Sequence, residues 1–398
     1  MHTVLTSYDR ILRTVRGEPV DRVPIFPPLP WHPLDPLPTK GWLAEPNYRA
    51  VAELVAQYCD CLCNARTLGG YFDRRFLLIP QEYIQVTARE REGSWMVVTY
   101  QVNTPQGPLR TVEKRQEGVS TVWYTEPLLK DKEDVEKLLS VPFHFDPPDL
   151  APFFAERDRV QPRGVMQIGV STPMVCVSRL LDFQQFLLWC AAERDTIRRL
   201  IDTVFERIYL KLEYLLQHGV GPVFWFGGSE QATPPMMSPQ FYDELVVAYD
   251  SQLFDLVHRY GGYVHVHCHG KVNGVFERII EMGADMLDPL EPPPDGDLPI
   301  AEAKRRAQGR ITLMGNIEFR DLEFATPEEI DAKVREAICS ERKDHFMLYP
   351  SATAISAISD RYRDNAIQYI QSGLEYGKLD IGENRLHNVK TGRLLTAS

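Results

Sequence analysis

The chain has no long apolar run: nothing approaches the roughly 18 residues that a membrane-crossing helix needs. It has no excess of positive charge. Against 44 Lys and Arg stand 55 Asp and Glu, a net charge of −11, and a phosphate backbone is bound by a basic surface, so nucleic acid is not an expected partner. There is no internal repeat, no low-complexity tract and no Cys-x-x-Cys pair of the kind that holds zinc tetrahedrally. The cysteines number seven, an odd count that does not describe a disulfide framework. The opening stretch Met1–Asp9 lacks a signal-peptide core, so a cytoplasmic location is the default expectation.

What is present describes an ordinary globular chain with a large core: 398 residues, 44% hydrophobic and 25% charged. Short apolar runs recur with helical stretches between them, at Val23–Phe26, Cys61–Asn64, Val165–Val170, Pro222–Phe226, Tyr263–His269, Asp285–Leu290, Ile311–Ile317 and Phe346–Pro350. Their near-continuous hydrophobicity suits buried parallel strands. Eight of them alternating with helices predict an α/β fold, a single (β/α)8 TIM barrel over residues 1–398. Helix starts are marked at Ser238-Pro239, at the capping box Thr326–Glu329, and in Asn273–Met282 with Gly283 just beyond. Between residues 81 and 125 the pattern changes to period-two alternation punctuated by Gly93, Pro105–Gly107 and Gly118. That predicts an antiparallel β-meander inserted in the barrel, as a lid, an oligomer contact or a plain elaboration. Cys59, Cys61 and Cys63 alternate and read either as a soft-metal face or as buried thiols behaving as small hydrophobes.

One segment stands out. In Tyr263–Gly270, His265, His267 and His269 alternate with Val266 and Cys268, so on a strand all three imidazoles share one face. In a barrel of this kind active-site groups sit at the C-terminal strand ends. That rule selects Trp225–Glu230, His267–Gly270, Asp288–Glu291, Gly315–Glu318 and Tyr349–Ser351, an acidic and imidazole-rich rim. His267 and His269, with carboxylates from Glu230 and Glu291, are the donor types zinc accepts. His265, deeper in the strand, reads as a partner that holds a ligand's tautomer or as a ligand itself. Trp225, Phe226 and Tyr349 are candidate walls of a substrate pocket, and Asn316 a candidate for orienting substrate or water. Glu318 reads as a loop-stabilising group or a member of the site.

Five stretches, Arg10–Pro24, Thr104–Leu109 with Lys130–Leu138, Gly261–Gly270 through Leu287, Met314–Ile317 and Arg361–Gly377, together resemble the uroporphyrinogen decarboxylase superfamily, and within it the methyltransferase-like branch. The arginine motif by which true porphyrinogen decarboxylases grip propionates is absent: Arg10, Arg13 and Arg16 do not reproduce it. Relative to the corrinoid-linked methyltransferases, His267 stands in the histidine place, His269 replaces a cysteine, and Tyr349–Thr353 stands where a later cysteine would be. The resemblance therefore implies a harder His/Glu site suited to an oxygen ligand, with Glu244 in reserve.

The expectation is a zinc-dependent methyltransferase. It would demethylate a small methoxylated or methylated compound and pass the methyl to a corrinoid on a separate protein, with His267, Glu230 and Asn316 carrying the chemistry. The alternatives are a metal-free decarboxylase or lyase on a small acid, with Arg66, Arg74 or Arg75 meeting its carboxylate, and a barrel that binds a ligand without chemistry.

Overall fold

The computed structural model describes residues 4–31, 34–117, 119 and 122–379. Gly118, one of the turn markers above, and the stretch from 380 onward lie outside the described residues. Eleven strands are found among those described: β1 (Leu62–Asn64), β2 (Ile84–Glu92), β3 (Trp95–Thr104), β4 (Gly107–Gln116), β5 (Val122–Glu126), β6 (Val165–Ser171), β7 (Val223–Gly227), β8 (Tyr263–His267), β9 (Met286–Leu290), β10 (Thr312–Ile317) and β11 (Phe346–Pro350). They form two sheets. A seven-stranded parallel sheet runs β1-β6-β7-β8-β9-β10-β11, and a four-stranded antiparallel sheet runs β2-β3-β4-β5.

The eighth expected strand, Val23–Phe26, is not a ladder strand. It touches β11 through an isolated parallel bridge, Ile25 to Leu348. Phe26 N–H donates to Leu348 O, Leu348 N–H to Pro24 O, and on the other side Asp60 N–H to Ile25 O. Pro24 and Pro27 flank the run, and proline has no N–H to give to a ladder. The result is a curled sheet of seven strands with this segment lying between its two edges.

The parallel strands follow the rule of alternation. One face looks outward to the helices and forms the main core. The other looks inward. Its lowest layer is apolar, with Val165, Val223, Met286, Met314 and Met347 packed against Ile11, Leu12 and Val15. Those last three belong to the helix Ser7–Arg16, which closes the N-terminal end of the sheet. Thr6 Oγ1 caps this helix by accepting from Asp9 N–H, and Gly17 ends it at φ +68°. With the bottom plugged, the inward face opens toward its C-terminal end, where Gly169 is exposed.

The antiparallel sheet covers part of that open end. Gly93-Ser94 joins β2 to β3 and Pro105-Gln106 joins β3 to β4. Val102 and Leu109 face the main core, whereas Val86, Met96 and Trp123 remain exposed. Thr326 does make the expected capping box with Glu329, and Ser238 does precede a helix. That helix changes to π geometry over Asp243–Val247 before continuing as Ala248–Arg259. No described helix is long and apolar enough to cross a membrane.

Candidate active site

Above the apolar layer the inward face turns polar, and its side chains join into one line across the sheet. Gln167 Nε2 donates to Asn64 Oδ1 at 3.0 Å. Gln167 Oε1 lies 2.7 Å from His265 Nδ1. His265 Nε2 is 2.7 Å from Asp288 Oδ1, and the second oxygen of Asp288 is 3.0 Å from His267 Nδ1. Four strands (β1, β6, β8 and β9) thus supply a chain that ends on His267. The register explains why these residues meet: His267 pairs with Asp288 across the β8–β9 ladder, and paired residues on parallel strands share a face.

Asp288 is the centre of the arrangement. It is 1% exposed, as is His265. Burial disfavours its charge, yet the two imidazoles on either side hold its carboxyl well below the ordinary range. His267 is the reverse case. Burial opposes its charged form, but Asp288 first, then Glu230 and Glu291, raise its pKa above the usual 6.5. With Nδ1–H directed at Asp288, the proton on His267 Nε2 is the one available for exchange, and Nε2 has no partner among the described residues. The Trp225 ring stands beside it, 5.0 Å between centroids. Trp225 also leans over Gly227, where an added Cβ would come within 2.4 Å of the indole. Gly169, by contrast, has nothing within 4 Å of such a Cβ, so the interior opens above Gln167.

The structure distributes the expected site residues unevenly. His269 sits at the rim with its ring 4.6 Å from that of His267, and its Nδ1 is 2.9 Å from Glu291 Oε1. The other oxygen of Glu291 accepts from Gly270 N–H at 2.5 Å. Burial works against the Glu291 charge, but these two hydrogen bonds keep its pKa low. Glu230 has one oxygen, Oε2, buried without a partner. Asn316 lies opposite Tyr349 in the β10–β11 register. Tyr349 lines a cavity of about 350 Å³ with Phe26 and Trp31, and Asn64, Gln167 and His265 line it too.

Phe226 is elsewhere. It is buried, with its ring 4.9 Å from that of Phe254 in the outer helix layer. Alternation puts Trp225 inward and therefore Phe226 outward, so the two cannot wall one pocket. Glu244 is also elsewhere, paired with Arg194 on the outer surface. Cys61 and Cys63 are buried with their sulfurs 3.7 Å apart, while Cys59 is half-buried.

The fit of a zinc ion can be judged from these partners. The two imidazoles suit a metal in one respect: carboxylates hold their Nδ1 atoms, as is usual behind metal-bound histidines. Of the two carboxylates, Glu230 has an uncommitted oxygen, Oε2, and Glu291 has none. Among the described residues no three His, Cys, Asp or Glu side chains gather where they could hold an ion. The expected set of His267, His269, Glu230 and Glu291 does not form a zinc cage as folded.

Gln167 escaped sequence reading, and Asp288 was placed on the rim by the strand-end rule but given no role. A signal existed, since each is a polar residue inside an otherwise apolar strand, in Met-Leu-Asp-Pro-Leu and Val-Met-Gln-Ile-Gly. Glu318 was left open and proves buried. It accepts from Ser351 Oγ at 2.9 Å, and burial pushes its pKa up to about 7 against that hydrogen bond.

The sequence profile of the uroporphyrinogen decarboxylase (URO-D) family matches residues 121–351, more than half of the chain. The chain belongs to that family. No curated protein sequence matches it. Among solved structures, a methyltransferase from Methanosarcina mazei is similar over 94% of this chain and 99% of its own, with a TM-score of 0.55 and 16% identity. At that identity the likeness concerns the fold. A B12-independent methionine synthase from a Shewanella species covers 89% of this chain and 96% of its own at 13% identity, with a TM-score of 0.43, too low to weigh. Of the polar line, Gln167, His265, His267 and Asp288 fall within the family profile and Asn64 falls outside it.

Proposed function

We propose that this URO-D family protein is a methyltransferase that removes a methyl group from a small methoxylated compound, with His267 as the acid for the departing oxygen. The observation that carries this reading is Asp288 held between His265 and His267. A buried carboxylate fixes the His267 ring, favours its imidazolium form and leaves Nε2–H as its one uncommitted donor. As the methyl leaves for its acceptor, the C–O bond breaks with its electron pair on oxygen. His267 Nε2–H supplies the proton that makes this oxygen a neutral hydroxyl. Asn316 and Tyr349 orient the substrate, Trp225 packs against His267, and segment 23–26 completes the ring of strands as the eighth member of a TIM barrel.

The methyl acceptor in this reading is a reduced corrinoid carried by a separate protein, as the resemblance of the sequence to corrinoid-linked enzymes implies. Zinc stays a matter for measurement, because the donors present do not form its cage, and no step depends on it. The test is methylation of added reduced corrinoid, followed by absorbance, with a panel of methoxylated arenes and with zinc content determined in parallel. A positive reaction lost in His267→Ala supports the proposal. Turnover undiminished in that variant sinks the role of His267, and absence of any transfer with or without zinc sinks the methyltransferase reading.

A further inference from the structure

β1 is one edge of the parallel sheet and β11 is the other. Where the chain from Phe26 to Trp31 passes between them lies the cavity of about 350 Å³, within the range of small-molecule pockets. Its walls are flat and apolar. The rings of Phe26 and Tyr349 lie 5.3 Å apart between centroids, 59° between planes. Trp31 also lines it, and its Nε1–H is already given to Pro36 O at 3.3 Å, so what it offers a ligand is its ring. The charged side chains of the lining balance in sign. Arg66 is bound to Asp35, Glu156 accepts from the N–H and the Oγ1 of Thr67 at 3.3 and 3.0 Å, and Arg159 is exposed. Selection in this cavity does not rest on net charge.

The polar end of the cavity has a direction. Gln167 Oε1 can only accept, so His265 Nδ1 donates to it across 2.7 Å. That sets Gln167 Nε2 toward Asn64, where it donates to Oδ1 at 3.0 Å. The β1–β6 register pairs Asn64 with Gln167 and holds the two amides side by side. An amide bears oxygen on one side and NH2 on the other, so each orientation fixes the next. The line therefore ends in Asn64 Nδ2, a donor with no acceptor among the described residues. Asn64 is exposed, and it lines the cavity.

We propose that this cavity is the specificity pocket of the substrate site and takes an aromatic ring bearing a hydrogen-bond-accepting oxygen, which Asn64 Nδ2 reads. This deepens the methyltransferase reading, in which Tyr349 already orients the substrate, by naming the substrate class. The ring packs among Phe26, Trp31 and Tyr349, and the amide line points a donor at its oxygen. A ligand group that can only donate meets a donor and is rejected.

The test is calorimetric titration of the full chain with acetophenone, whose ring carries an accepting carbonyl, and with benzylamine, whose ammonium can only donate. Acetophenone should bind at least tenfold more tightly than benzylamine. Asn64→Asp keeps an oxygen for Gln167 Nε2 and replaces the cavity-facing NH2 by a second oxygen. It should weaken acetophenone roughly 10- to 100-fold and strengthen benzylamine, reversing the preference. Gln167→Glu removes the donor that Asn64 Oδ1 receives, so the Asn64 amide turns over and shows its oxygen to the cavity. The preference should reverse there too, with Asn64 intact, and this variant decides the matter should Asn64→Asp fail to fold. Cyclohexyl methyl ketone, with the same carbonyl on a ring that is not aromatic, should bind roughly threefold more weakly than acetophenone or worse. No acetophenone binding, equal binding of the two ketones, or a preference unaltered in the variants overturns the proposal. Acetophenone has no methoxy group, so binding governed by Asn64 without methyl transfer from any methoxylated arene would sink the proposed reaction and spare the pocket.

Discussion

Replacing Asp288 by asparagine tests the arrangement on which the proposed chemistry depends. The side chain is nearly isosteric, so the inward layer keeps its shape, but the charge between His265 and His267 disappears. A hydrogen bond to a charged group contributes about 1.5–3 kcal/mol, and His267 loses that much support for its imidazolium form while its burial is unchanged. His267 should therefore titrate at lower pH in the variant. Stability should fall as well: removing one member of a buried charged set costs about 3–5 kcal/mol. The sign of the pH dependence follows from the two directions. Because the folded pKa of His267 lies above 6.5, its contribution is complete below 6.5 and is lost as pH rises through the folded value. Because that of Asp288 lies below 3.8, its contribution is complete above 3.8 and is lost as pH falls. The stability difference between wild type and Asp288→Asn should thus be widest between about pH 4 and pH 6.5. Histidine ring titration by NMR on the two proteins, with urea unfolding at several pH values, measures both quantities. A His267 that titrates at the same pH in wild type and variant would refute the reasoning, because it would mean that Asp288 does not control that ring.

Glu318→Gln should remove a pH dependence of stability: with a folded pKa near 7 against an ordinary 4.5, wild type loses on the order of 3 kcal/mol as pH rises through that interval, and unfolding at pH 5 and pH 8 should show this loss in wild type alone. Phe226→Ala should destabilise by about 3–5 kcal/mol through the cavity left against Phe254, whereas Phe226→Leu keeps ligand binding intact; altered ligand affinity in Phe226→Leu would return the residue to the pocket. Gly227→Ala forces the Trp225 ring away from its place and should cost about 1–3 kcal/mol, with a changed tryptophan fluorescence as the direct readout; an unchanged emission spectrum would contradict the close approach.

Much of this molecule can be read from the order of its residues, because the periodicities are local. A strand with both faces buried is apolar throughout, and seven of the eight runs identified that way form the parallel sheet. Period-two alternation with Gly93 and Gly107 at the turns announces the antiparallel sheet, and Thr326–Glu329 announces its helix start. The histidines of β8 announce a polar face in the same way. The run Val23–Phe26 fits less well because hydrophobicity is blind to hydrogen-bond donors, and Pro24 and Pro27 remove the donors that a ladder would use.

Local pattern could select rim residues but could not assign their partners. His267, His269, Glu230 and Glu291 all stand at strand ends as expected, yet whether a carboxylate faces a metal or an imidazole depends on the register between separate strands. Only the β8–β9 register sets Asp288 beside His267. Only the inward turn of Trp225 sends Phe226 to the helix layer. The sequence by itself determined the kinds of chemical group at the open end of the sheet and the strands that bear them. The tertiary structure decided which groups touch, because hydrogen bonds and charge interactions act over a few ångströms, and residues more than a hundred positions apart reach that distance only through folding.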